Sequence, residues 1–264
     1  MNSPSLWVWQ QVEDWRWLHC RLLSEWPHAF GCRQLHPRQP PQLAAHLQLP
    51  PQRAAWGQQV HGPDWMWADE AIDALYPLLH QASPEVTGSR PQADAVIARR
   101  GSDSAWVCTA DCVPILLASR EWVAAIHAGW RGTAAKILPN VLQQFLQVGI
   151  PASEIRVAMG PAISGAAYQV GAAVAEQVLQ TLPPEWDTGT VLLPDPLPGK
   201  VRLDLRRVNQ AQAQACGILA EHIALSPHCT LSQPQDFFSY RRDGSLRDEQ
   251  GRYCVQWSGI GLWA

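Results

Sequence analysis

Three side chains of this sequence could share one metal ion. His61 lies in Gln59-Val60-His61-Gly62, Cys112 follows Asp111, and His127 precedes Ala128-Gly129. Cys112 and His127 are 15 residues apart, and His61 is 51 residues upstream of Cys112. Two imidazoles and a thiolate leave a fourth coordination position open, as in catalytic zinc sites. Zinc would keep the thiol deprotonated and lower the pKa of a bound water to about 7. The spacing matches no closed zinc-finger pattern, so two other readings stay open. In one, the histidines are hydrogen-bonded and Cys112 is a buried thiol. In the other, Cys112 is the nucleophile of a cysteine hydrolase, with a histidine as base and Asp111 or another acid to orient it. Arg131, Arg241 and Arg242 are candidate anion holders. Arg131 sits in a Gly-flanked turn where backbone amides can also face an oxyanion. Arg242 fits a surface or capping role better. Phe237-Phe238-Ser239-Tyr240 reads either as the wall of an aromatic-tolerant pocket or as the core face of a strand.

These groups must be held by the elements around them. Trp106–Thr109, Val113–Leu117 and Trp122–His127 are short, β-branched or aromatic, and read as strands. They would gather a carboxylate, a thiol, an imidazole and a guanidinium at strand ends, where side chains are rigid yet open to ligand. Upstream, Leu6–Gln11 and Trp15–Cys20 form a hairpin with Glu13-Asp14 near its turn. Residues 33–53 are rich in Pro and Gln and suit a loop or short helix. A strand follows near Trp65–Ala68, then a short helix over Glu70–Gln81 limited by Pro77, then a strand at Ala93–Ile97. Gly132–Gly149 has a helical rhythm, with Pro139 in its first turn or at a kink. Beyond it come a strand at Ile155–Met159, a helix at Gly171–Leu182, a loop over 183–200 and a short strand at Val201–Leu205. The remaining elements are a helix from Leu205 ending near Gly217 and strands at Ile223–Leu225, Phe237–Tyr240 and Tyr253–Trp257. The alternation indicates α/β, and the hairpins argue against an all-parallel sheet. No internal repeat or linker divides the chain, so one domain over residues 1–264 is expected.

Composition narrows the function. Charged residues are 16% of the chain, against about 25% in an average soluble protein, and the net charge of -3 offers no broad basic surface for nucleic acid. No apolar run reaches the ~18–20 residues of a membrane span. The N-terminal stretch lacks a positive region and soon meets Glu13 and Asp14, so no secretory signal is expected. The seven cysteines are scattered and odd in number, which fits reduced thiols in a cytoplasm.

Several blocks occur together in a familiar order. They are Gln59-Val60-His61-Gly62, Thr109-Ala110-Asp111-Cys112-Val113-Pro114, His127-Ala128-Gly129-Trp130-Arg131-Gly132, Gly160-Pro161-Ala162-Ile163, Cys229-Thr230 and Phe237-Phe238-Ser239-Tyr240-Arg241-Arg242-Asp243. Over roughly residues 28–258 the chain resembles the laccase-domain family, also called polyphenol oxidase or purine nucleoside phosphorylase proteins. The resemblance implies a four-layer α-β-β-α sandwich with mixed β-sheets, and zinc held by His61, Cys112 and His127. It also implies small-molecule chemistry: phosphorolysis of adenosine, inosine and methylthioadenosine, and deamination of adenosine. The family's older name implies copper-dependent phenol oxidation instead, and one bacterial member implies a role in peptidoglycan editing. Two departures stand out. A Ser-Leu-Asn-Leu block usual before the first histidine is missing. The usual Tyr-Glu-Val after Gly-Pro-Ala-Ile is here Tyr168-Gln169-Val170.

Under the zinc reading Asp111 is the one local carboxylate able to shuttle a proton. Arg131 and Arg241 are the donors expected to hold phosphate beside the sugar. Copper also suits imidazole and thiolate. However, nine histidines without a His-x-His pair are poor material for a multicopper oxidase. A non-enzymatic metal-stabilised scaffold would need a fourth ligand, for which Cys229 is the candidate.

Overall fold

The computed structural model describes residues 5–73, 90–99, 101, 103–244 and 246–263. In chain order the strands are β1 (Trp7–Val12), β2 (Trp15–Cys20), β3 (His28–Gly31), β4 (Ala54–Ala55), β5 (Trp65–Trp67), β6 (Ala95–Ala98), β7 (Ser104–Thr109), β8 (Val113–Ala118), β9 (Val123–Ala128), β10 (Arg156–Met159), β11 (Gln169–Gly171), β12 (Leu192–Pro194), β13 (Lys200–Leu203), β14 (Ile223–Leu225) and β15 (Gln256–Gly261). The helices are α1 (Pro40–His46), α2 (68–73 within the described residues), α3 (Trp130–Ala134), α4 (Ile137–Gln147), α5 (Ala172–Leu179), α6 (Leu205–Ala215) and α7 (Tyr240–Asp243).

The strands form two mixed six-stranded sheets, β1-β2-β3-β15-β7-β4 and β14-β10-β8-β9-β6-β5, and a small sheet β11-β13-β12. Side-chain alternation explains why the large sheets stack. In the second sheet Val96, Leu116, Val123, Ala125 and Ala158 face one way, packed with Leu18, Phe30, Val107 and Ile260 of the first. Their neighbours Ile97, Ile115, Leu117, Ala124, Ile126 and Val157 face the other way, onto Leu138, Val141, Leu142 and Phe145 of α4 and Val208 of α6. Burial on both faces is why β8 and β9 read as unbroken apolar runs. The outer face of the first sheet, carrying Trp106, Trp9, Trp17 and Trp257, is covered by Leu35, Leu43, Ala44 and Leu49 around α1. The order is helix, sheet, sheet, helix, with mixed sheets as the resemblance implied. One of the helical layers is much thinner than the other.

Several elements depart from expectation. Phe237–Tyr240 forms no strand. Phe237 N–H donates to Gln233 O, and Phe238 exchanges backbone bonds with the Gln256 side chain. Ser239 then caps α7, its Oγ accepting from Arg242 N. Both Phe side chains are buried. The last strand lies at Gln256–Gly261, downstream of the expected Tyr253–Trp257. A side chain at Gly259 would meet the Trp106 ring at 2.2 Å, so the strand needs a residue without one there. The 183–200 loop contains β12. The helix expected over 132–149 is two, broken at left-handed Lys136, with Pro139 in the first turn of α4. Beyond residue 73, the short helix expected over 70–81 lies outside the described residues. No described helix is long and apolar enough to cross a membrane.

Candidate metal centre

The fold brings His61, Cys112 and His127 together. Their ligand atoms all lie within 4.8 Å of one another, so small side-chain movements would bring all three to bonds of about 2.0–2.3 Å with one ion. His127 is the next-to-last residue of β9 and pairs across the ladder with Pro114 of β8. Cys112 ends the tight turn between β7 and β8, and His61 projects from the loop between β4 and β5. Among the described residues only five that are not glycine have positive φ, and His61 (63°) and Asp111 (92°) are two of them. That backbone costs about 1–3 kcal/mol per residue and persists only where surroundings enforce it. Gly129 leaves room for the cluster: a side chain there would lie 3.0 Å from Cys112 Sγ and 3.2 Å from His61 Cδ2.

At His61 the enforcement comes from Asp94, a residue not singled out in the sequence. It precedes β6 and is fully buried. Its Oδ2 accepts from Val60 N (3.0 Å) and Gly62 N (2.8 Å). Its Oδ1 accepts from His61 N (2.9 Å) and lies 2.7 Å from His127 Nδ1. One carboxylate thus folds the backbone around one imidazole and orients the other. With Nδ1 of His127 committed to Asp94, Nε2 is left for a metal. The available signal was an acid embedded in the apolar run Ala93-Asp94-Ala95-Val96. Gln59 adds a brace, its side-chain amide exchanging two hydrogen bonds with the Cys108 backbone (2.7 and 2.8 Å).

Electrostatics agree with this geometry. Burial pushes the Cys112 thiol up, but His127 and hydrogen bonds from both histidines outweigh it and bring it to about 6. Burial disfavours charge on His127, yet Cys112 and Asp94 raise it to about 9. Both shifts favour a thiolate beside an imidazolium. Cys108, four residues earlier, is pushed up to about 12, first by burial. A thiolate, an oriented imidazole and the exposed imidazole of His61 form a donor set that suits zinc or copper.

The cluster opens onto a cavity of about 730 Å³. Arg131, at the start of α3, and Arg241, on α7, line it with Trp130, Tyr168, Tyr240 and Tyr253. The Arg131 guanidinium stacks on Trp130 at 4.5 Å, and Arg241 Nη1 donates to Gln169 O at 3.0 Å. Asp111 also lines the cavity, but its carboxylate is occupied. Oδ1 accepts from Thr230 Oγ1 (2.5 Å), and Oδ2 from Ser239 Oγ (3.0 Å) and Arg241 N (2.7 Å). Arg242 faces inward to the carbonyls of Thr230, Leu231 and Phe237 and to Asp243. Cys229 does not join the cluster; its Sγ accepts from Ser164 N. Gln169 is turned to Asp195 Oδ1 (2.9 Å) and is not part of the cavity wall.

A four-layer sandwich with a two-histidine, one-cysteine cluster at its strand ends defines a class of metal-site protein. Residues 38–257 match the family model described as multi-copper polyphenol oxidoreductase laccase, and the chain belongs to that family. It is 40% identical over 274 residues to "Purine nucleoside phosphorylase slr1573" of Synechocystis sp., covering 98% of each chain. It is 36% identical over 153 residues to "Adenosine deaminase RL5" from an unknown prokaryotic organism, 57% of each. The solved structure of YlmD from Geobacillus stearothermophilus superposes with a TM-score of 0.80 at 26% identity, covering 99% of this chain and 100% of that one.

Proposed function

We propose that this chain is a zinc-dependent purine nucleoside enzyme that cleaves nucleosides with phosphate and also deaminates adenosine. The observation that carries the reading is a three-donor cluster with one open side, facing a nucleoside-sized cavity edged by two arginines. Relatives named as purine nucleoside phosphorylase and adenosine deaminase support it. His61, Cys112 and His127 would hold the ion, which when bound supplies Lewis acidity and activates water near neutral pH. Arg131 and Arg241 hold phosphate, since each presents a permanently charged planar fork. Asp111 fits a positioning role better than a proton shuttle, because all three of its bonds fasten α7 and the Thr230 loop to the β7–β8 turn. A single three-donor cluster among the described residues gives little support to multicopper phenol oxidation.

A panel of nucleosides, incubated with and without phosphate and monitored for free base and ammonia, tests the reading. Neither product from any nucleoside would sink it. Elemental analysis of native protein, expected to find about one zinc per chain, tests the metal. One observation favours a second reading: Cys112, His127 and Asp94 are also aligned as nucleophile, base and orienting acid. That would make the chain a metal-free cysteine hydrolase, with peptidoglycan editing as its field. Activity that survives chelation and dies on alkylation of Cys112 would select it.

A further inference from the structure

We infer that Tyr168 supplies the third, uncharged donor of an oxyanion subsite whose other two donors are Arg131 and Arg241, and that inorganic phosphate is the anion it takes. The inference rests on the phosphate role given above to the two arginines and adds a residue to it.

Tyr168 follows the Gly160-Pro161 loop and enters β11. Its backbone is fixed on both sides: Tyr168 N donates to Ser164 O (2.9 Å), and Leu203 N donates to Tyr168 O (3.0 Å). The half-buried ring packs against the helix-side core and lines the metal-centre cavity. The Arg241 guanidinium lies 5.4 Å from its ring centroid, while Arg241 Nη1 is anchored on the next carbonyl, that of Gln169. Among the described residues nothing hydrogen-bonds the Tyr168 hydroxyl. The charges it feels, besides its own burial, are those of Cys112, Arg241, Asp111 and Arg131. Burial and the Cys112 charge push the phenol up to about 12, so it is a donor throughout the neutral range.

Charge decides the ligand class. Arg16, Arg53, Arg202 and Arg242 are each tied to an aspartate. Arg131 and Arg241 have no such partner among the described residues. Of the two carboxylates that line the cavity with them, Asp111 already accepts three hydrogen bonds and Asp243 is paired with Arg242. Two unneutralised guanidiniums and a partnerless phenol, presented by three different elements, call for a compact anion with several oxygen acceptors. A neutral sugar hydroxyl would leave both cations unpaired. Inorganic phosphate satisfies all three donors, and its place next to Cys112 sets it against a substrate held at the metal centre.

The test is calorimetric titration of the whole, metal-loaded protein with inorganic phosphate. Tyr168→Phe keeps the ring, its packing and the Arg241 stacking, and removes only the O–H. The expected result is about tenfold weaker phosphate binding, the scale of one hydrogen bond to a charged group. In turnover, the phosphate KM rises about as much, while the nucleoside KM and metal content hold. Tyr168→His, which returns a neutral donor on a planar ring, recovers part of the affinity and carries the test if the Phe variant misfolds. Unchanged phosphate affinity in Tyr168→Phe, phosphate and nucleoside KM rising together, or no phosphate binding by the wild type at ~10 mM each overturn the inference. Phosphate binding that depends on Tyr168 in a protein that cleaves no nucleoside supports the subsite and overturns only the functional reading. Nucleoside phosphorolysis indifferent to Tyr168 does the reverse.

Discussion

The two walls of the cavity are built by opposite rules. On the metal wall His127 and Asp94 are buried, and Asp94 alone accepts three peptide N–H groups and contacts one imidazole. On the facing wall Arg131, Tyr240 and Arg241 are exposed, and neither arginine has a carboxylate partner among the described residues. The first wall is preorganised, with its polar groups already spent on one another. The second keeps its hydrogen-bonding capacity for whatever enters. Under the proposed function, chemistry that requires fixed geometry would fall to the first and substrate choice to the second. If that division is right, damage to the metal wall abolishes every activity, and damage to the arginine wall discriminates among them.

The largest effect is expected from Cys112→Ala. Removing a ligand should bring phosphorolysis and deamination to background together. The protein should still unfold cooperatively, because a three-ligand catalytic metal adds function more than fold to a core of this size. Loss of soluble, cooperatively folding protein would make the metal structural and erase the contrast between the walls.

Asp94→Asn comes next. Removing the carboxylate behind a metal-bound imidazole typically costs about 10–100-fold in metal affinity, measurable by competition with a chromophoric chelator. Burial pushes the Asp94 carboxyl up, but His127 and the N–H groups of Gly62 and Val60 outweigh it and hold it below the ordinary carboxylate range. A lowered folded value contributes stability above about pH 4 that is lost as the pH falls further. The metal-free variant should therefore lose that part of the wild type's acid sensitivity. Wild-type metal affinity in Asp94→Asn would show that His127 needs no orienting partner.

How far the two walls can be read from sequence follows the same division. Two of the candidate metal ligands announce themselves because Cys112 and His127 interrupt the apolar stretch of β7 to β9, whose β-branched runs read as strands, whereas His61 lies in a loop and is marked only by its Gln-Val-His-Gly block. Asp94 is not legible in the sequence, because a buried acid at a strand start looks like a turn residue until its donors, more than 30 residues away, are in place. The arginine wall depends on loops packed across the chain. Ser239-Tyr240 reads as strand because two Phe precede it, and only the Gln233 and Gln256 contacts turn it into a helix cap. The bounds of the Gly-rich β15 are hard to read because its fit depends on Trp106, a partner more than 150 residues away.

On the arginine wall, Arg131→Ala and Arg241→Ala should each lower kcat/KM for phosphate by about 10–100-fold, on the scale of a charged hydrogen bond. Deamination, which uses no phosphate, should fall much less. Equal losses in both reactions would mean that these residues serve the cavity in general. A smaller, chemical contrast separates two neighbouring thiols. In metal-free protein, alkylation of Cys112 should rise with pH through about 6, while Cys108, pushed up to about 12, stays unreactive at neutral pH. Adding zinc should protect Cys112. Equal labelling of both would refute the thiolate–imidazolium pair.

The smallest effect on activity is expected from Gln169→Glu, which installs the glutamate usual in the resembling family. If that carboxylate served as a base or a metal-wall partner, restoring it should raise activity. The side chain of Gln169 does not face the cavity. Its amide donates to Asp195 Oδ1 at 2.9 Å, and Asp195 Oδ2 accepts from Arg202 Nε at 2.9 Å. The part of Gln169 that matters to the arginine wall is its carbonyl, which receives Arg241 Nη1, and the substitution leaves that in place. Glutamate would trade a donor for a second carboxylate beside Asp195, with Arg202 the one cation between them. The expected outcome is kcat within about twofold of wild type and a melting temperature lower by a few degrees, since a loss near 1 kcal/mol moves Tm by roughly 2–4 °C in a chain of this size. Repulsion between carboxylates also predicts that the deficit shrinks as the pH falls toward 4 and one of them takes a proton. A rise in kcat with unchanged Tm would place residue 169 in the chemistry and move it to the other side of the cavity's division of labour.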